Sequence, residues 1–513
     1  MANNPRIGQW EKMWFVPTLG CYHNLPIYQV PDDAVWDALN VIVRDGALEP
    51  RPGLTSHSET SLVDRPMGAW VVSALGSAAF QADTFQNDAF QVTGAGSNVI
   101  ILCGTTRKIW AYYSGVWHDI TNSALTGGGS DHVRFTSIEI SGTIYTLITN
   151  GVDTPRQWDN VAATVSNVGG TPSPPKWTDI TTISNHIIGI IPPFTVQWGN
   201  NLDISTGWPA ANFRDVADTV DKVVAIRNLG TMGGALYKER SVWSVIPVGG
   251  TESGFFRFEL RGLWPGPCSP AAVVDADGVH YYLTTTGRVG RWTGGGHEWV
   301  ADGIWEIIKG DLDSVNMNRA WGVYEPLHNE VYFFYPRVGG SGEIYGGLVV
   351  QIPRPRSIIQ DHIAFPTRFI KSLSCGIDLR LESNKALVFD ALTFKSRFLE
   401  GDSDFDGEFT GFWQQGFAPT KGLSPHRIHE VEVFATREPA AGSLTVKPVY
   451  SNILDEEGGS LGTSLTVDLS DSAPVRDVKG TDTRGRFFAL RYEFTTPIQL
   501  SWLGARLTAD PLE

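Results

Sequence analysis

The chain has 513 residues, of which 42% are hydrophobic, 11% aromatic and 19% charged, with 55 Gly, 30 Pro and 18 Trp. So small a charged fraction excludes an intrinsically disordered chain and a long coiled coil, and Gly and Pro scattered without a period are those of many short strands joined by tight turns. A net charge of −15, with no basic run longer than two residues, excludes the positive footprint of a sequence-independent nucleic-acid binder.

No stretch reaches the roughly 18 apolar residues that cross a bilayer; the nearest, 187–196, is broken by Pro192 and Pro193. The N-terminus has no basic segment followed by an apolar core, which predicts folding in a cytoplasm rather than secretion. Cys21, Cys103, Cys268 and Cys375 form no Cys-x-x-Cys pair. They read as buried small hydrophobes, not as zinc ligands or disulfide partners.

Residues 1–60 read as an extended arm, interrupted by Pro17, Pro26, Pro31, Pro50 and Pro52. Its one apolar stretch, 35–43, ends in Arg44-Asp45-Gly46 and is too short to stand alone. It must pair with a later sheet or with a neighbouring subunit. Over 61–97 the dipeptide Phe-Gln returns at 80, 85 and 90. That five-residue step suggests a pentapeptide β-helix, but Ala78, Asp83 and Asp88 break its register and three copies are too few for a solenoid, so a repetitive surface loop is expected.

From 98 to 360 six segments look alike: 99–121, 133–153, 183–200, 223–246, 278–295 and 321–336. Each offers an apolar strand, a turn and a second strand with aromatics. Anchored on Trp110, Tyr145, Val196, Trp243, Tyr281 and Tyr332, they step by about 44 residues on average, close to the roughly 40–45 of a four-stranded propeller blade. The expectation is an all-β chain with a β-propeller of five or six blades and the surplus aromatics between blades; two stacked sandwiches are the alternative. From 361 to 513 longer segments, 426–435, 443–451, 463–470, 486–494 and 498–509, alternate apolar and polar residues. This is the pattern of a C-terminal antiparallel β-sandwich.

Catalytic signatures are few. There is no Gly-Lys dipeptide for a P-loop, Gly94-x-Gly96 has Val99 where a dinucleotide loop needs Gly, and His297-Glu298 does not complete H-E-x-x-H. His328-x-Glu330 opens like a zinc deaminase but lacks the paired cysteines. Asp402-Ser-Asp404-Phe-Asp406-Gly407 has the D-x-D-x-D-G opening of a calcium loop, in which alternate carboxylates converge on one ion. Trp413 stands where the bidentate Glu of an EF-hand belongs, which leaves an irregular calcium loop or an acidic turn between strands. His426 and His429 fall on a strand three residues apart, so they point to opposite faces. No catalytic or cofactor-binding residue is singled out and no enzyme is expected.

Several phrases together resemble a family. DALNVIVRDGALEPRPGLT (37–55), YTLITNGVDTPRQWDN (145–160), VQWGNNLDISTGW (196–208), YKERSVWSVIPVGG (237–250), RGRFFALRYEF (484–494) and LSWLGARL (500–507) are similar to parts of the propeller-bearing tail nozzle, or tail hub, of tailed bacteriophages. That family includes the packaged-DNA-stabilising plug proteins of short-tailed phages. The resemblance implies a virion protein made in the host cytoplasm, assembled as a homohexameric ring that docks on an adaptor or portal ring and carries tail fibres or spikes. Such a ring extends the DNA channel, retains packaged DNA and lets it pass on ejection. An acidic chain suits that passage, because carboxylates facing phosphates prevent multi-contact binding. Two alternatives are a receptor- or carbohydrate-binding propeller, with exposed Trp stacking on sugars, and a propeller glycoside hydrolase with an axial carboxylate pair.

Overall fold

The computed structural model describes residues 10–73, 99–354, 361–380, 382–404, 407–420, 424–437, 443–453, 459–468, 475–479, 483–496 and 500–512. Short alternating runs closed by left-handed turns build it. Five two-residue hairpins, Asp45-Gly46, Ser114-Gly115, Ser141-Gly142, Ser184-Asn185 and Asp277-Gly278, have positive φ at both positions. That backbone matches the right-handed twist of the flanking strands and is cheapest for Gly and Asn.

Among the described residues seven four-stranded antiparallel sheets follow one another around a ring. Blades 1 to 6 begin with the innermost strands Pro66–Ser73, Arg134–Ile140, Asp179–Ile183, Val223–Asn228, Val273–Ala276 and Trp321–Glu325. Blade 7 takes Leu373–Asp378, Ala386–Asp390 and Ser396–Phe398 from late in the chain and its outer strand, Thr55–Ser58, from near the start. The protein is therefore a β-propeller, with seven blades where five or six were expected. All six look-alike segments fall in separate blades, but the anchors mix second strands (Tyr145, Tyr281, Tyr332) with third strands (Trp110, Val196, Trp243). The seventh escapes a local reading because its sheet closes with a strand from the opposite end of the chain. The Phe-Gln repeat lies outside the described residues, between the first two strands of blade 1.

The aromatic surplus lies between blades. Trp177 and Trp208 meet edge-on, ring centroids 4.7 Å apart, in the core shared by blades 2 and 3. Trp198, Trp243 and Phe256 fill the space between blades 3 and 4, and Tyr237, Tyr282 and Trp292 that between blades 4 and 5. Cys103 of blade 1 and Cys375 of blade 7 are buried in one cluster with Trp110, Trp117 and Phe389.

Among the described residues the second unit is a sandwich of two seven-stranded sheets. Its long strands His426–Arg437, Ser443–Ser451, Phe487–Thr495 and Leu500–Pro511 lie where alternation placed them. Trp413 stacks on Tyr492 at 4.7 Å and meets Trp502 of the facing sheet at 5.8 Å. Residues 10–50 are not a free arm: Trp10–Phe15 and Ala47–Pro50 pair with Leu500–Pro511, while Val35–Leu39 pairs with Thr410–Gln415. The apolar stretch 35–43 is two strands, divided at Asn40, whose φ of 59° turns the chain from one sheet into the other. The boundaries shift accordingly. The propeller takes 55–58 and 66–398, and the sandwich takes 10–50 and 410–511. No helix among the described residues is long and apolar enough to cross a membrane.

Candidate functional site

Two buried arginine–aspartate systems dominate the polar interior. The first joins the sandwich to the propeller. Arg51, fully buried, donates through Nε to Asn40 Oδ1 (3.1 Å), through Nη1 to Pro52 O (2.7 Å) and Asp404 Oδ1 (2.9 Å), and through Nη2 to Arg368 O (2.7 Å) and Asp404 Oδ2 (2.8 Å). All five donors of its planar fork are used. The guanidinium lies between the rings of Phe369 and Phe409, 3.9 Å from each centroid, where cation–π attraction adds to the hydrogen bonds.

This arrangement locates the proposed calcium-loop residues. Asp404 is buried and meets the Arg51 guanidinium with both oxygens while accepting from Ile370 N (2.9 Å). An arginine supplies the positive charge that a calcium ion would have brought. Asp402 is half-buried and Asp406 lies outside the described residues.

Beside this joint, Glu325, His328 and Glu330 bring their ligand atoms within 4.8 Å of one another. His328-x-Glu330 lacks the cysteines of a zinc deaminase, and the third member, Glu325, joins it only through cross-strand pairing opposite Glu330. Here too an arginine takes the cation's place. Arg44 donates to both Glu330 oxygens (3.2 and 2.8 Å), Tyr332 OH adds a bond of 2.6 Å and Gln351 Nε2 one of 3.0 Å. Burial raises the Glu330 carboxyl, but the Arg44 charge and the bonds from Arg44 and Tyr332 outweigh it and hold it below its ordinary value. Glu325 accepts from the backbone N–H groups of Leu327 and His328 and from the His328 ring. As for the other histidines, His297 sits 2.8 Å from Tyr282 OH, His426 is buried and His429 exposed on the opposite face of their strand.

The second system lies on the propeller axis, in a cavity of about 390 Å³ lined by the innermost strands. Asp179, fully buried, accepts from Arg134 Nε (2.9 Å), from Ile226 N (2.9 Å) and from Arg227 Nη1. Arg227 also donates to Ile226 O and Pro270 O. Burial and the nearby Arg134 charge lower the Arg227 guanidinium to about 10, despite Asp179. One carboxylate thus serves two guanidiniums.

Both ends of the axis are bridged. Before blades 2 and 6, which are not neighbours in the ring, His132 Nε2 meets Asn318 O (2.9 Å) and Arg319 Nε meets Ser130 Oγ (3.3 Å). At the other end Arg380 of blade 7 reaches Asp277 Oδ1 (3.0 Å) and Asp275 O (2.9 Å) of blade 5, over the Tyr324 ring of blade 6. A cavity of this volume is in the small-molecule range of about 300–1,000 Å³, and a DNA duplex, whose major groove alone is about 12 Å wide, does not pass.

No family model and no curated protein matches the chain. Among solved structures, the β-propeller domain of Cps50 (Swd1) from Myceliophteria thermophila aligns over 69% of this chain and 99% of its own, at 6% identity and a TM-score of 0.40. BamB from Moraxella catarrhalis covers 71% of this chain and 96% of its own, at 8% identity and a TM-score of 0.35. Sqt1 from Saccharomyces cerevisiae covers 53% and 85%, at 10% identity and 0.31. The likeness is one of propeller fold alone.

Proposed function

We propose that the protein is a structural ring component of a phage tail, a nozzle or hub, that extends the DNA channel below an adaptor or portal ring. The observation that carries this reading is the place of the phrase 37–55, one of the phrases that together carry the family resemblance. It folds into the joint: Asn40 turns the chain between sheets, Arg44 and Arg51 anchor it to blade 6 and to the 404 loop, and Asp45-Gly46 makes the hairpin. These are architectural roles, suited to a rigid building block in which propeller and sandwich share one hydrophobic core. Because the propeller axis is bridged and narrow, the channel in this reading is built between copies of the chain, in a homohexamer, with the net charge of −15 keeping phosphate from adhering. Fibres or spikes would attach outside.

Electron microscopy of the recombinant protein, alone and mixed with the adaptor ring of the same phage, tests this. Rings with an open centre wide enough for duplex DNA are expected. A dispersed monomer of 56.2 kDa that never joins the adaptor defeats the reading, and cleavage of a host polysaccharide, abolished by replacing one axial carboxylate, would establish a hydrolase instead.

A further inference from the structure

The axial cavity holds a charge arrangement that the fold does not complete. Arg134 uses Nε on Asp179, and its two terminal nitrogens have no acceptor among the described residues. Its side chain is 22% exposed, whereas the Asp179 beneath it is at 0%, so those nitrogens face the cavity from its floor. Asp179 accepts three bonds, one on Oδ1 from Arg134 Nε and two on Oδ2 from Ile226 N and Arg227 Nη1, and none comes from the terminal nitrogens of Arg134. The floor therefore carries two guanidiniums against one carboxylate, in a half-open cavity crossed at each end by side-chain bridges. A buried excess of positive charge with open, coplanar N–H donors favours a carboxylate or phosphate.

The walls above the floor are apolar or aromatic: Trp70, Phe135, Ile180, Val273, Val323 and Ile377. At the rim Asp275, Asp277 and Asp378 surround Arg380, which is occupied by Asp378, Asp277 and a backbone carbonyl. The rim thus repels a polyanion, and only a compact ligand with a single anionic head passes it to the floor. We propose that the propeller axis binds a small organic acid, its carboxylate or phosphate monoester on the Arg134–Arg227 floor and its apolar or aromatic body against the Trp70, Phe135 and Ile377 walls.

Calorimetric titration of the intact protein with benzoate and with phenyl phosphate tests this and separates the two head groups; benzyl alcohol and benzylamine are the neutral and cationic controls. Saturable one-to-one binding of at least one anion and of neither control is expected. Arg134→Gln, which leaves Asp179 paired with Arg227, is expected to weaken binding about tenfold or more. Ala271→Trp, at a small half-buried cavity residue, keeps every charge and is expected to block binding by filling the space. No saturable binding of either anion at millimolar concentration overturns the proposal. Binding that survives both substitutions also overturns it, since the anion would then sit elsewhere.

Discussion

The joint at Arg51 and the axial floor at Arg134 are built from the same residue types and behave as opposites. At the joint one guanidinium meets one carboxylate, every donor is satisfied and two phenyl rings cover both faces. On the axis one carboxylate serves two guanidiniums, and Arg134 keeps donors open toward a cavity. A saturated buried pair holds elements together and has nothing left for a ligand. An unsaturated one contributes less to the fold and keeps capacity for binding. Substitutions in the two places should therefore separate stability from recognition.

The largest effect is expected at the joint. Arg51→Ala leaves Asp404 buried without its counter-charge, and breaking such a pair costs about 3–5 kcal/mol. Thermal or urea unfolding should show this loss. The double variant Arg51→Met with Asp404→Leu should regain much of it, because the desolvated charge goes with its partner. A single variant within about 1 kcal/mol of the parent would remove the joint's structural role. Added calcium should leave the unfolding midpoint of the parent unchanged, since Arg51 occupies Asp404; a clear upward shift would return the 402–407 turn to the calcium-loop reading.

Next comes a pH effect on the axis and its neighbouring blades. Burial lowers His132, with its Nε2 on Asn318 O, and His280, between Tyr237 OH and Asn228 O, to about 4. An exposed imidazole in the unfolded chain titrates near 6.5, so between these values the unfolded state binds protons that the folded state does not. Their contribution to stability is complete above about pH 6.5 and is lost progressively down to about 4, by a few kcal/mol for the two together. Unfolding midpoints measured across this window check it. His132→Gln with His280→Gln should flatten the slope, and an unchanged slope would assign acid sensitivity to other groups.

A smaller effect is expected where Gln351 stands in for a strand. Its amide accepts from Val43 N (3.0 Å) and donates to Val43 O (2.7 Å), as a backbone peptide would. Gln351→Ala leaves both Val43 groups buried and unpaired, a cost of about 1–3 kcal/mol. Gln351→Glu, which keeps the acceptor but places a second carboxylate beside Glu330, should be worse than Gln351→Ala. The reverse order in chemical denaturation would deny the pairing its importance.

What the sequence made legible follows range of interaction. Alternation and turn residues located the sandwich strands and placed each look-alike segment within a blade, because Ser141-Gly142 or Asp277-Gly278 acts over a few residues. The seventh blade and the fate of residues 10–50 were not legible: Ser396 meets Ser58 and Leu48 meets Trp502 across hundreds of residues. The site shows the same limit. Asp402, Asp404 and Asp406 drew notice as a local motif, yet the partner of Asp404 is 353 positions away. Arg134, Asp179 and Arg227 carry no motif, since propeller closure alone brings them together: Arg134 and Asp179 open their inner strands, whereas Arg227 stands near the end of its own.

The smallest stability effect, and the one that most sharpens the contrast between the two sites, is expected for Arg134→Gln. Removing this side chain leaves Asp179 with Arg227 and Ile226 N, and it relieves the repulsion that helps lower Arg227. The two changes oppose each other, so the net cost should be within about 1 kcal/mol, the usual range for a pair open to solvent on one side. Arg227→Gln should cost more, because it strips Asp179 of its buried partner and Pro270 O of its donor. Equal losses for the two variants, read from the same unfolding curves, would mean that Arg134 is as structural as Arg51. An Arg134→Gln protein that is as stable as its parent but no longer takes up the anions would instead show a charge retained for binding at the centre of a fold that does not require it.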